Sequence, residues 1–166
     1  MGTERAALKS TVASTVPDPT LAAGKNSTIC VLDTNIVLDI WLFSDARSAW
    51  LLPRLTSGAH HWLATAAMRE ELARVLGYPR LVRQLDVRKV EAQALLAAFD
   101  QHARIVDEAA AAPSALKCID PDDQKFIDLA WAHSAALISR DAAVLTVLGR
   151  WQKLAPKDSH LTQNLS

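Results

Sequence analysis

Four acidic residues stand at the ends of apolar segments. Asp33 follows Ile29-Cys30-Val31-Leu32, Glu71 lies in a helical pattern, Asp123 closes Asp120-Pro121-Asp122-Asp123, and Asp141 follows Ala136-Leu137-Ile138-Ser139-Arg140. Acids at the ends of core-forming segments converge in space more readily than scattered surface acids. Converging carboxylates repel one another, which raises their pKa values until a cation lies between them. A set of hard oxygen ligands suits Mg²⁺ or Mn²⁺. Such an ion polarises a phosphoryl oxygen, activates a water and holds a substrate in line. Phosphate chemistry is therefore the first hypothesis. Asn35 and Ser139, each two residues from an acid, are placed to hydrogen-bond a metal-bound water or a phosphate.

Each acid also has a plainer reading. Asp120 has the form of a helix N-cap, and so does Asp141. Asp122 and Asp123 complement a helix dipole. Glu71 has Glu70 beside it, and either suits a solvated helix face. Asp33 resists such an explanation best, because a strand end seldom requires an acid. Asp39, Asp45 and Asp128 read as surface residues.

The elements that must position these acids follow from hydrophobic periodicity and punctuation. Residues 28–32 form a short apolar, β-branched run consistent with a buried strand, and residues 60–64, 104–106, 136–139 and 151–155 supply further strand candidates. Helical patterns cover residues 35–42, 45–55, 66–76, 87–101, 120–133 and 142–148, with a helical turn near 76–85. Thr65 and Asp86 are good caps, and Pro121 marks a helix start. Strands alternating with helices predict an α/β sandwich around a mainly parallel sheet. In such a sheet ligands bind beyond the carboxyl ends of the strands, where Asp33 and Asp141 both fall.

Composition bounds the alternatives. The chain of 166 residues is one domain in length, and half of it is hydrophobic. Residues 1–27, rich in Ser, Thr, Ala and Pro, read as a mobile extension. Residues 28–156 read as the folded domain and residues 157–166 as a short tail. No apolar run reaches the ~20 residues of a membrane helix. No signal-peptide core precedes Ile29, and the two cysteines, Cys30 and Cys118, suit a reduced, cytoplasmic compartment. Cys30 reads as a buried free thiol, and the absence of a Cys-x-x-Cys pair argues against structural zinc. The histidines make no metal-ligand spacing, and no G-x-S-x-G elbow occurs. Formal net charge is zero, yet Arg69, Arg74, Arg80, Arg83, Arg88 and Lys89 crowd one stretch while Asp107, Glu108, Asp120, Asp122 and Asp123 crowd another. The neutral sum can hide a basic face beside an acidic pocket. The tryptophans Trp41, Trp50, Trp62 and Trp131 fall in patterned segments and suit core packing better than base stacking.

These residues resemble a family. Val31-Leu32-Asp33-Thr34-Asn35 looks like the opening motif of PIN-domain ribonucleases. Glu71-Leu72-Ala73-Arg74-Val75-Leu76 followed by Tyr78-Pro79-Arg80-Leu81 is similar to the second acidic motif of the VapC-like toxin–antitoxin subgroup. Asp120-Pro121-Asp122-Asp123-Gln124-Lys125-Phe126 resembles the third motif and Ser139-Arg140-Asp141 the fourth. The resemblance implies a five-stranded parallel sheet of order 3-2-1-4-5 and metal-dependent hydrolysis of single-stranded RNA. It implies a catalytic set of Asp33, Glu71, Asp123 and Asp141, with Asp33, Asp123 and Asp141 as ligands of Mg²⁺ or Mn²⁺ and Asn35 and Ser139 as accessory groups. It also implies an antitoxin partner and a homodimer. Two other classes compete. A haloacid-dehalogenase-like phosphatase also begins with an acid after a strand, but it wants a second Asp where this chain has Asn35. A non-catalytic RNA-binding or regulatory domain would keep the acidic pocket without cleavage.

Overall fold

The computed structural model describes residues 27–154 and the backbone of Thr162–Asn164. Four parallel strands carry the sheet: β1 (Thr28–Leu32), β2 (His60–Ala64), β3 (Ala103–Ile105) and β4 (Ala136–Ser139), in spatial order β3-β2-β1-β4. The register sets Thr28 opposite His60, Cys30 opposite Ala136, and Trp62 opposite Ala103. A three-residue strand, β5 (Thr162–Asn164), pairs in parallel with β4 beyond it. Every residue of β4 and the last three of β1 are buried, as expected of strands covered on both faces. This is the three-layer α/β arrangement expected from the alternation of strands and helices.

Among the described residues, seven α-helices connect the strands: α1 (Thr34–Leu38), α2 (Leu51–Thr56), α3 (Ala66–Leu76), α4 (Pro79–Arg88), α5 (Ala92–His102), α6 (Gln124–Ala132) and α7 (Ala142–Leu154). α1 runs on into a π-helical turn, Asp39–Phe43. The right-handed rule for parallel crossovers sends the β1–β2 and β2–β3 connections over one face and the return through α6 over the other. The packing agrees: α3 lies on α1 and α5, whereas α6 lies on β1 and β4. Trp62, Trp151, Phe126, Leu72, Leu95 and Ile127 are among the largest side chains fully out of solvent. Trp62 packs edge-on to Phe99 at 4.7 Å and stacks with the partly buried Trp41 at 5.8 Å. The Cys30 thiol is wholly buried, and burial pushes its pKa up to about 12, so it behaves as a small hydrophobe. Among the described residues, no helix is long and apolar enough to cross a membrane.

Several expected boundaries move. Residues 151–154 are not a strand; α7 runs through them, because Val144, Val147, Leu148 and Trp151 form one buried stripe at helical spacing. The outermost strand pairing comes instead from Thr162–Asn164, inside the segment read as a tail. Asp86 does not cap a helix; it lies within α4, and the chain turns at Lys89 (φ 56°) before Glu91 opens α5. The helix expected over 45–55 is turns up to Trp50, with only Leu51–Thr56 α-helical. The extension expected at 1–27 lies outside the described residues, Ser27 excepted.

Candidate active site

β1 ends at Leu32, and the backbone N–H of Asp33 still reaches the carbonyl of Ile138 on β4, at 3.2 Å. The chain then turns directly into α1. Asp33 is therefore both the last rung of the sheet and the N-cap of a helix, its Oδ1 accepting from the Ile36 N–H at 2.9 Å. Only 2% of it is exposed. Burial pushes its pKa up to about 6, against hydrogen bonds from Ser139 and from the backbone of Ile36 and Asn35 that stabilise the charged form; the Asp141 charge raises it further.

Ser139 closes β4 and is wholly buried. Its hydroxyl donates to Asp33 Oδ2 and accepts from the Asp141 N–H at 3.0 Å. One hydroxyl thus ties the acid after β1 to the acid after β4. Asp141 also caps α7, its Oδ1 accepting from the N–H groups of Ala143 at 2.8 Å and Val144 at 3.3 Å. The cap reading and the site reading of Asp141 hold together.

Asp123 enters from the other side. A short 3₁₀ turn, Pro121–Asp123, leads into α6, and Asp120 caps that turn through its bond to the Asp122 N–H at 2.9 Å. Asp120 takes the capping role, and the Asp123 carboxylate makes no capping bond to α6. Burial, then the charges of Asp141, Asp120 and Asp33, push Asp123 up to about 6, with Lys125 pulling the other way. These mutual influences place Asp33, Asp123 and Asp141 in one electrostatic neighbourhood.

Glu71 leans over this edge from α3. Thr34, the residue after Asp33, donates its hydroxyl to Glu71 Oε1 at 2.9 Å, and the Lys125 ammonium pairs with Oε2. Glu71 is 14% exposed and Lys125 23%. Glu70, its neighbour, is exposed. Asn35 is exposed and contributes its backbone N–H, not its side chain, to the setting of Asp33.

All four acids named from the sequence thus face the carboxyl edge of the sheet. They are not closed on a common point: among the described residues, no three His, Cys, Asp or Glu side chains already stand in metal-ligating geometry. Asp33 and Asp141 each give an oxygen to backbone N–H groups, which turns them partly aside. In donor chemistry and charge the set still fits a hard divalent cation, with one buried and three partly buried carboxylates and no soft ligand.

Four participants escape the sequence reading. Thr34 and Lys125 hold Glu71. Asp39 and Arg140 form a two-pronged ion pair, with Arg140 Nε 2.6 Å from Oδ2 and Nη2 2.7 Å from Oδ1. Asp39 is 1% exposed, not a surface residue, and it joins the turn carrying Ser139 and Asp141 to the end of α1. Asp128 is likewise no surface residue; its carboxylate accepts from the Ala112 N–H at 2.9 Å and from Gln124 at 2.8 Å. Arg140 and Lys125 sit inside the acidic motifs themselves, which is the one signal that pointed to them.

No curated relative matches the chain. A chain of the VapBC2 complex from Rickettsia felis, solved bound to a DNA fragment from its promoter, has the same fold: TM-score 0.54 at 16% identity, over 82% of this chain and 98% of that one. The family described as the PIN domain matches residues 30–143, a span that begins in β1, ends just past Asp141 and takes in all four acids, and the chain belongs to that family.

Proposed function

We propose that this chain is a divalent-metal-dependent endoribonuclease acting on single-stranded RNA, and the toxin of a toxin–antitoxin pair. The observation that carries the reading is the bridge from Asp33 through Ser139 to Asp141, with Asp123 and Glu71 facing the same sheet edge. PIN-family membership supports phosphodiester hydrolysis as the reaction class and leaves no place for the haloacid-dehalogenase-like alternative. Likeness in fold to a chain of the VapBC2 complex supports an antitoxin partner, and the homodimer that the motif resemblance implies is part of the same proposal.

Asp33, Asp123 and Asp141 are the residues that would hold Mg²⁺ or Mn²⁺, and that ion, when bound, supplies Lewis-acid polarisation of the phosphoryl group. Asp33 and Asp123, each pushed up to about 6, are mostly ionised at neutral pH and so remain available as ligands. Glu71, fixed by Thr34 and Lys125, is oriented to accept a hydrogen bond from an attacking water. Ser139 holds Asp33 in place, and Asn35, exposed beside it, is free to contact a phosphate or a bound water. Asp33→Asn should abolish Mn²⁺-dependent cleavage of a single-stranded RNA while leaving the circular dichroism spectrum unchanged. Full cleavage by that variant would remove the proposed site, and RNA binding without cleavage by the parent chain would favour a non-catalytic domain.

A further inference from the structure

Among the described residues, Lys125 is the one lysine drawn into the acidic edge by contacts on several sides. Its ammonium pairs with Glu71 Oε2, donates to the backbone carbonyl of Asp122, and lies 4.9 Å from the centre of the Phe126 ring. Phe126 is itself buried, so the ammonium lies over a ring fixed in the core. A cation held this way is not a mobile surface charge. It acts on Asp123 as well as on Glu71.

We infer that Lys125 is the built-in second cation of the site: its ammonium takes the Glu71 side of the acidic cluster and leaves Asp33, Asp123 and Asp141 to a single divalent ion. The inference rests on the metal-dependent reading above and adds the number of ions to it. Both Glu71 oxygens already have partners, Thr34 on Oε1 and Lys125 on Oε2. A second divalent ion on that side would have to share Glu71 with an ammonium, and two cations on one carboxylate repel. Lysine also brings donors that a metal does not. Of its three N–H groups, Glu71 and the Asp122 carbonyl engage two. The third is available to a non-bridging phosphate oxygen of RNA. Lys125 is thus a positioning residue for Glu71 and a contact for the substrate phosphate.

The test counts bound ions on the full chain without RNA, by calorimetric titration with Mn²⁺ and by the loss of free Mn²⁺ signal in electron paramagnetic resonance. The parent chain should bind one Mn²⁺. Lys125→Met should bind two, and adding Glu71→Gln to it should return the count to one. Lys125→Arg, which keeps the charge, should remain at one. Lys125→Gln gives the same count as Lys125→Met and serves if the methionine variant folds poorly, with melting curves checking both. Two ions in the parent chain, or one ion of unchanged affinity in both neutral variants, overturns the assignment while leaving the metal-dependent reading standing. No binding by the parent chain removes both.

Discussion

Asp33 is a carboxylate kept almost out of water, and the fold maintains it against its own stability. Its pKa near 6 is about two units above the ordinary carboxylate value, a difference worth up to ~3 kcal/mol at neutral pH. Asp33→Asn removes that charge, so the metal-free variant should melt higher than the parent at pH 7.5, even though on the ribonuclease reading it should lose cleavage. The pH dependence has a definite sign. Between about pH 4 and 6 the folded chain holds protons on Asp33 and Asp123 that the unfolded chain has released. Metal-free stability contributed by these groups is therefore full below about pH 4 and falls as pH rises to about 6. Melting temperatures from pH 4.5 to 7.5 should show a shallower decline in Asp33→Asn; equal slopes would deny Asp33 its raised pKa. At this scale the sequence is readable where a residue breaks a local rule. An acid closing an apolar strand is such a break, and Asp33 stood out for it. Thr34 broke no rule, and its role needs a partner 37 residues away. Asp39 read as a surface acid because the arginine that pairs with it comes from the turn after β4, across a fold that periodicity alone does not lay out.

The turn from β4 into α7 carries two of the site's side chains, and it is fastened by Arg140. Its guanidinium grips Asp39 in the π-helical turn after α1. The element that starts with Asp33 and the turn that carries Asp141 therefore share a second tie, besides Ser139. Because Asp39 is buried and Arg140 partly exposed, Arg140→Ala leaves an acid stranded in the interior, at a cost of about 2 kcal/mol. Urea unfolding should show that loss, and a midpoint within error of the parent would mean that water replaces the guanidinium at no cost. The elements themselves were mostly visible. β1, β2, β4 and α3 lie where alternation and capping put them, and Thr65 caps α3 through the Met68 N–H at 3.4 Å. The errors have a common cause. Trp151 and its neighbours suit strand and helix equally, and the choice is made by the buried stripe they share with Val144 and Val147, a tertiary fact. Likewise, α4 and α5 divide at Lys89 in a left-handed conformation, which no glycine announced.

Over the whole molecule, a formal net charge of zero conceals an uneven distribution. Acids gather at the carboxyl edge of the sheet. Of the basic stretch, Arg69 is spent on Asp100 at 2.5 and 2.7 Å, Lys89 lies 3.5 Å from Asp86, and Arg88 rests 5.2 Å from the Phe43 ring. Arg74, Arg80 and Arg83 are exposed and form no ion pair among the described residues. On the ribonuclease reading, this surface meets the RNA backbone. Replacing Arg80 and Arg83 with alanine should weaken RNA binding for all sequences alike and flatten its dependence on salt, by about 0.7 in the log–log slope per lost phosphate contact. An unchanged slope would move the RNA path elsewhere. The charge segregation was visible in the sequence, whereas the pairing that leaves only some arginines free was not.

The long connection from β3 to α6 is held by side chains of α6. Ala112 bonds to Asp128, the Cys118 N–H donates to Gln124 at 2.6 Å, and Gln124 Nε2 reaches both the Leu116 carbonyl at 3.4 Å and Asp128. Gln124 follows Asp123 directly and precedes Lys125. A loop stapled to that one amide cannot peel away without loosening the helix start that presents both charges. Local opening of the connection should therefore loosen the start of α6 as well, and amide exchange would show matched protection in the two.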